Sequence, residues 1–208
     1  MEEWKNRQDI PFVTIVLAAA NVVFFLLLEI TGSTDDGLFM LQHGALYGPL
    51  VLEDGEYYRL FTAMFMHFGA SHLMNNLLML MVMGSRLEQA VGQIRYLICY
   101  LVSGAAANLF TVWFYEWRGI DAISAGASGA LLGVCGALFG CVLRKNRRLD
   151  VDGRQMLILM AFTLYSGFVS SQTNNAAHIS GAFFGFLLGL ILGGGSRKAR
   201  HSSFQNYG

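Results

Sequence analysis

Apolar segments of about the length of a membrane-spanning helix recur along this chain, and they constrain its fold more than any other feature. A transmembrane helix needs about 20 mostly apolar residues. Segments of this kind, separated by polar turns, fall at residues 11–28, 72–91, 95–115, 128–143, 155–170 and 176–195. The second is the least apolar, because it contains Asn75, Asn76, Arg86 and Glu88. The sequence therefore predicts an all-α polytopic membrane protein with six transmembrane helices.

The composition agrees with a chain whose solvent is mostly lipid. The chain is 54% hydrophobic and 13% charged, with a mean hydropathy of +0.47, whereas a soluble domain carries about 25% charged residues. The formal net charge is zero, so charge gives no reason to expect a nucleic-acid partner. The first apolar run continues past Ala20 to Leu28, which indicates a membrane span rather than a cleaved signal peptide. Cysteines 99, 135 and 141 lie in apolar stretches and are expected to be buried packing residues.

The charges between the apolar segments predict the orientation. With six spans and the N-terminus inside, Arg59 and Arg118 are the only outer residues among the 14 Lys and Arg. Such a bias follows the positive-inside rule. We expect residues 1–10 to be a cytoplasmic N-terminus, residues 11–195 a six-span domain and residues 196–208 a basic cytoplasmic tail. The long loop between helices 1 and 2, residues 31–58, mixes apolar and acidic residues and is predicted to fold onto the outer membrane face.

Two stripes of glycine predict which spans pack together. In the sixth span, Gly181, Gly185 and Gly189 recur every four residues. Small residues on one helical face let another backbone approach closely within lipid. We therefore expect this face to pack against a matching stripe of the fourth span, which comprises Gly126, Gly129, Gly133, Gly136 and Gly140.

Ser128 and His178 stand at corresponding ends of these stripes. His178 precedes Gly181 by three residues and shares its helical face, so packing of the stripes brings the two side chains together. A helix over residues 128–143 rises roughly 24 Å at ~1.5 Å per residue, whereas the hydrocarbon core is about 30 Å thick. Ser128 is thus expected several Å below the outer surface, behind irregular backbone that lines protein or a water-filled cavity. The N–H groups at the start of its helix suit an oxyanion.

The stretch MHFGASHLMNN, residues 66–76, adds polar side chains at the same depth. His72 and Asn76 are separated by four residues and share a helix face, and His67 precedes that helix. These donors are suited to polarising a carbonyl oxygen. Taken singly, the glycines are explained by helix packing, His72 with Asn76 by contacts that hold helices together, and Ser128 by an interhelical hydrogen bond. An intramembrane histidine such as His178 is costly and points to function.

In these residues the sequence resembles the rhomboid intramembrane serine proteases. The resemblance runs from about residue 44 to 190 and rests on YRLFTAMFMHFGASHLMNN, GSRLEQAVG, GASG and AHISGAFFG in that order. It implies that Ser128 is the nucleophile and His178 the general base. It also implies that His72 and Asn76 support the oxyanion, with His67 as a further family histidine.

The resemblance extends to structural positions and includes two departures. Arg59 and Glu88 match positions that family members use structurally, in the first outer loop and around the second span. Tyr58 stands where the family often has tryptophan, and Leu132 stands where members often carry a tyrosine under the histidine ring. The residue that orients His178 is left open; Tyr165 and the backbone are both candidates.

The resemblance implies a six-span endopeptidase that cleaves transmembrane protein substrates near the outer face of the bilayer, in the plasma (inner) membrane. It implies no metal or other cofactor. Other intramembrane protease chemistries fit worse, because the sequence has no HExxH motif and no predicted span contains a lysine or a pair of aspartates. Two other classes stay open: a non-catalytic rhomboid-like binder of transmembrane helices, and a transporter or channel that uses His67, His72 and His178.

Overall fold

A computed structural model describes residues 10–146, 149 and 174–193 of the chain. The described helices are α1 (Phe12–Thr31), α2 (Gly37–Gln42), α3 (Gly48–Leu52), α4 (Arg59–Thr62), α5 (Gly69–Met79), α6 (Ser85–Val91), α7 (Gln93–Arg118), α8 (Ser128–Leu143) and α9 (Asn175–Leu192). A 3₁₀ turn, Ala63–Phe65, follows α4, and a π-helical turn, Leu80–Gly84, joins α5 to α6. The predicted fifth span, the N-terminal residues 1–9 and the basic tail lie outside the described residues.

Five of the six predicted spans lie at least mostly within the described residues, and each is helical. Three of these helices, α1, α7 and α9, are long and apolar enough to cross a membrane. The predicted fourth span is α8, a shorter apolar helix with the predicted bounds. The predicted second span consists of α5, the π-helical turn and α6 in succession. The membrane character of the chain is confirmed, and the count of six spans stays a prediction.

Helix α8 occupies the centre of the described bundle. Every residue from 129 to 138 is buried, as expected for a helix that is apolar on all sides and surrounded by other helices. Leu131, Val134 and Leu138 belong to one core cluster with Tyr96 and Tyr100 of α7. A serine at the first position of α8 is therefore held by the most enclosed element of the described fold.

The predicted packing of α8 against α9 is confirmed at the level of backbone contact. A Cβ atom on Gly181 would overlap the carbonyl oxygen of Gly129, and one on Gly185 would overlap that of Gly133. In the other direction, a Cβ on Gly136 would overlap the carbonyl oxygen of Ala182. We call these apposed small residues the glycine seam. Any side chain larger than hydrogen at these positions forces the two helices apart.

Gly126 does not belong to this seam, and the prediction that it lies on the same helical face is wrong. Helix α8 begins at Ser128, and Gly126 lies in the irregular segment before it with a φ of +137°. Glycine adopts such a conformation without the steric cost that a Cβ imposes. The regular spacing in the sequence continues past the point where the helix starts, so spacing alone misassigns this residue.

Glu88 joins the beginning of α1 to the middle of α6. Its carboxylate, buried within the bundle, accepts hydrogen bonds from the backbone N–H of Val13 at 2.9 Å and of Thr14 at 2.8 Å. The Thr14 hydroxyl donates a third bond at 2.8 Å. The first N–H groups of a helix have no intrahelical acceptor, so a carboxylate from the second predicted span satisfies them. This contact explains the acidic residue inside the predicted second span.

Asn146 connects the ends of helices at the end of the bundle where Glu88 meets α1. Its side-chain amide donates to the carbonyl oxygens of Ala90 at 3.3 Å and Gly193 at 3.2 Å. The C-terminal ends of α6, α8 and α9 therefore meet at one end of the bundle. Glu88, near the end of the predicted second span, bonds to the start of α1, so the first and second predicted spans run in opposite directions.

At the opposite end, the segment between α1 and α5 folds around a buried arginine. The guanidinium of Arg59 donates from Nη1 to the carbonyl oxygens of Leu41 at 2.7 Å and Ala45 at 2.8 Å. It also donates from Nε to the Glu56 carboxylate at 2.5 Å, and this hydrogen bond holds the pKa of Glu56 below its ordinary value. Arg59 thus holds together the short helices between α1 and α5.

Candidate active site

Ser128 and His178 form a direct hydrogen bond. The Ser128 Oγ atom lies 2.8 Å from His178 Nε2. Ser128 is the first residue of α8, and His178 is buried in the first turn of α9. The glycine seam places these two helix starts side by side, so the predicted pairing is a consequence of backbone packing one turn away. A serine hydroxyl within hydrogen-bond reach of an imidazole nitrogen is arranged for nucleophilic chemistry.

His72 and Ser128 both lie close to Gly126. A Cβ atom built on Gly126 would lie 2.9 Å from His72 Nε2 and 3.8 Å from Ser128 Oγ. The absence of a side chain at Gly126 is what lets the imidazole approach the backbone that leads into Ser128. The structure thus brings His72, a residue of α5, to the same pocket as Ser128.

His67 contacts the segment that leads into Ser128. Its side chain is fully buried, its ring centroid lies 5.2 Å from that of His72, and the two rings meet edge to face. His67 Nε2 accepts a hydrogen bond from the backbone N–H of Ala127 at 3.4 Å. The residue before Ser128 is therefore anchored by an imidazole that precedes α5.

Asn76 is buried one turn after His72 and bonds to its own helix. Its Nδ2 donates to the carbonyl oxygen of His72 at 2.8 Å. It is thereby placed next to the His72 backbone. Within the described residues, no hydrogen bond joins its amide to Ser128 or His178.

The second ring nitrogen of His178 has no hydrogen-bond partner among the described residues. His178 Nδ1 is buried and unbonded there. Leu132, which stands in place of the family tyrosine, is fully buried in α8 and has no polar atom to offer. Tyr165, a candidate from the sequence, lies outside the described residues. In the described part of the chain no three His, Cys, Asp or Glu side chains are placed to hold a metal ion.

Three polar residues near the Ser128–His178 pair were not predicted from the sequence. Asn174 caps α9, accepting from the Ala177 N–H at 3.0 Å. It also donates to the hydroxyls of Ser124 at 2.9 Å and Thr111 at 3.2 Å. An asparagine immediately before an apolar run is a helix-start signal that the sequence does contain. Its long-range partners have no such signal.

Comparison with known proteins points in one direction. The Rhomboid domain family model matches residues 54–195, which include each of the candidate catalytic residues. The Rhomboid protease GluP of Bacillus subtilis (strain 168) is 32% identical over 184 residues, covering 88% of this chain and 35% of that protein. The Putative rhomboid protease YdcA of the same organism is 34% identical over 183 residues, covering 87% of this chain and 88% of that protein.

A plant relative is similar to this chain over a shorter stretch. RHOMBOID-like protein 7 of Arabidopsis thaliana is 37% identical over 152 residues, which cover 72% of this chain and 47% of that protein. The chain thus spans about a third of GluP and about half of the plant protein.

Proposed function

Because this chain belongs to the rhomboid family, we propose that it is an intramembrane serine endopeptidase in which Ser128 and His178 act as a catalytic dyad. The observation that carries the proposal is the 2.8 Å separation of Ser128 Oγ and His178 Nε2 inside an apolar helical bundle. The relatives named as rhomboid proteases support the same activity. The substrates are transmembrane proteins presented from the surrounding bilayer.

In the first half-reaction, Ser128 Oγ attacks the scissile carbonyl carbon while His178 Nε2 takes the hydroxyl proton. The tetrahedral intermediate collapses as the imidazolium returns that proton to the leaving amine, which breaks the peptide bond and leaves an acyl-serine. Water then attacks the ester with His178 again as base, and release of the acid restores the Ser128 hydroxyl.

The negative charge on the carbonyl oxygen is met by donors at the start of α8. The Ser128 N–H belongs to the first turn, where backbone donors have no intrahelical partner. The Ala127 N–H is already taken by His67, so His67 shapes the oxyanion pocket without entering it. His72, which borders Gly126, supplies a side-chain donor, and Asn76 assists from the next turn. Removal of one such donor typically lowers the rate by ~10²–10³.

Cleavage takes place near the outer face of the plasma (inner) membrane, with both chain termini in the cytoplasm. The Ser128–His178 pair lies at the end of the bundle opposite to Asn146, and Asn146 lies within RKNRR, residues 144–148, the most basic loop of the sequence. The positive-inside rule assigns that basic end to the cytoplasm. The long loop between α1 and α5 then covers the outer end, where Arg59 holds its short helices together.

The nucleophile is tested with a fluorophosphonate probe on the detergent-solubilised protein, in parallel with cleavage of single-span helices in liposomes. We expect labelling at Ser128, with at most one equivalent per chain. Ser128→Ala should abolish both labelling and cleavage, and His178→Ala should lose both almost completely because the base is gone. Chelator should have no effect on either.

Cys135→Ala is the matched control, since this thiol is fully buried in the same helix and packs in the core. It should retain both activities. Cleavage by a folded Ser128→Ala variant would overturn the proposal. Absence of both labelling and cleavage in the folded wild-type protein would instead favour a non-catalytic binder of transmembrane helices.

A further inference from the structure

We propose that Asn174 is a positioning residue that sets the axial register between the helix carrying His178 and the segment leading to Ser128. The inference rests on the proposed serine protease function and adds a residue to its machinery. Asn174 reaches three parts of the chain with one side chain. It caps α9 through Ala177 and donates to Ser124 and to Thr111.

Asn174 influences the position of Ser128 through Ser124. Its hydroxyl accepts from Asn174 Nδ2 at 2.9 Å, while its backbone exchanges two hydrogen bonds with Leu46, at 2.9 and 2.8 Å. Asn174 is thereby linked to the segment before α8 and, through the same residue, to the long loop after α1. Thr111, which donates its own hydroxyl proton to Ala107 at 2.9 Å, fixes the amide against α7.

The positions of these contacts bracket the dyad. Ser124 precedes Ser128 by four residues, and Asn174 precedes His178 by four residues. On the other side of the Ser128–His178 bond, Gly181 meets the backbone of Gly129. We call the hydrogen bonds of Asn174 to Ser124 and Thr111 the clamp. The Ser128–His178 pair therefore lies between the clamp and the glycine seam.

The seam and the clamp restrict different motions. A contact between small residues sets how closely two helices approach, but it contains no directional bond against sliding or rotation along the seam. The Asn174–Ser124 hydrogen bond is directional and spans the two segments. A Ser–His hydrogen bond needs a donor–acceptor distance within a few tenths of an ångström, and misplacement by about 1 Å can cost 100-fold in rate. Fixing the register is thus a direct contribution to reactivity.

Two variants separate this role from helix capping. In Asn174→Ser the hydroxyl still caps α9, as serine does well, but it is too short to reach Ser124 and Thr111. We expect a melting temperature close to that of the wild type and a maximal rate of fluorophosphonate inactivation lower by about 10-fold, with little change in the probe concentration for half-maximal rate. Ser124→Ala removes the acceptor of the Asn174–Ser124 bond and should give a comparable loss. The double variant should lose little more than Asn174→Ser, since that change already breaks the bond to Ser124.

Asn174→Asp serves as the rescue. The carboxylate still accepts from the Ala177 N–H, and the Ser124 hydroxyl can rotate to donate to it, so the inactivation rate should stay within a few-fold of wild type. Ser180→Ala is the matched control, because among the described residues this buried hydroxyl of α9 bonds only to its own helix. It should label at the wild-type rate.

The outcomes are distinct from those of the proposed function itself. A wild-type protein that does not label contradicts the protease proposal. A wild-type protein that labels, with Asn174→Ser and Ser124→Ala labelling at the rate of Ser180→Ala, overturns the positioning role. A loss of labelling that only parallels a lower melting temperature also overturns it. If Asn174→Ser fails to fold, Ser124→Ala alone decides, since it leaves the cap of α9 intact.

Discussion

Glu88 accepts hydrogen bonds from both the backbone N–H and the hydroxyl of Thr14, each at 2.8 Å, although the two residues are 74 positions apart. The carboxylate is buried, and it lies at the positive end of the α1 dipole. One side chain near the end of the predicted second span thus accepts the hydrogen bonds of the first N–H groups of α1.

Glu88→Ala should therefore destabilise the protein. It leaves the buried N–H of Thr14 and the partly buried N–H of Val13 without an acceptor, at a cost of about 1–3 kcal/mol. The measurement is unfolding in mixed micelles, with Gln89→Ala, an exposed neighbour, as control. The maximal rate of the folded fraction should not change, because the site lies at the other end of the bundle. Equal stability of the two variants would contradict the capping role.

Gly181→Val should lower activity and thermal stability together. The added side chain meets the carbonyl oxygen of Gly129 and pushes α9 away from α8, which separates His178 from Ser128. Ile179→Val on the same helix is the control, because Ile179 is 51% exposed and points away from the seam. Labelling and melting temperature measured on both variants test the seam, and an inert Gly181→Val would show that the helices do not meet as described.

Gly126→Ala should impair the site more than the fold. Its φ of +137° is unfavourable for alanine, which costs more than about 1 kcal/mol at such positions. The new methyl group also lies 2.8 Å from His72 Cε1, so the imidazole must move. We expect probe labelling to fall by about 10-fold or more, as for loss of an oxyanion donor. Gly37→Ala, whose nearest neighbour is 3.8 Å away, should be neutral, and wild-type labelling by Gly126→Ala would count against a role for His72.

Alanine at His72 or Asn76 should lower kcat by about 10 to 10³ while the protein still folds. His72 is expected to give the larger effect, since its ring borders Gly126, whereas Asn76 bonds to the His72 backbone. Steady-state cleavage by each variant and by the exposed neighbour Asn75→Ala gives the comparison. Wild-type turnover in the double variant would reassign the pair to helix packing.

Reporter fusions test the orientation. Fusions at Gly208 and near Val151 should report a cytoplasmic location, and one near Gly119 an outer location, because the Lys and Arg residues are concentrated on one side. Gly119 ends α7 and lies at the outer end in this arrangement. An outer location for Gly208 would rule out six spans with the N-terminus inside.

The helices and the dyad were largely predictable because their signals are local and periodic. Apolar runs of sufficient length specify helices in lipid, where backbone groups have no other partners. The glycine steps in α9 and after Gly129 in α8 show which faces approach, and Ser128 and His178 stand at matching ends of those steps. The helical spacing of the glycines therefore predicted both that α8 packs against α9 and that Ser128 lies beside His178.

The remaining features depend on partners that are far apart in sequence. The sequence contains Glu88 and Asn174, but nothing local assigns the first to Thr14 or the second to Ser124. Gly126 fits the periodic stripe and yet leaves the helix, because the start of α8 is set by loop contacts from His67 and Leu46. Apolar periodicity thus determined which helices form and which faces meet. Only the folded bundle decided where each helix begins and which distant side chains bond across it, because single hydrogen bonds between distant segments have no period to predict them.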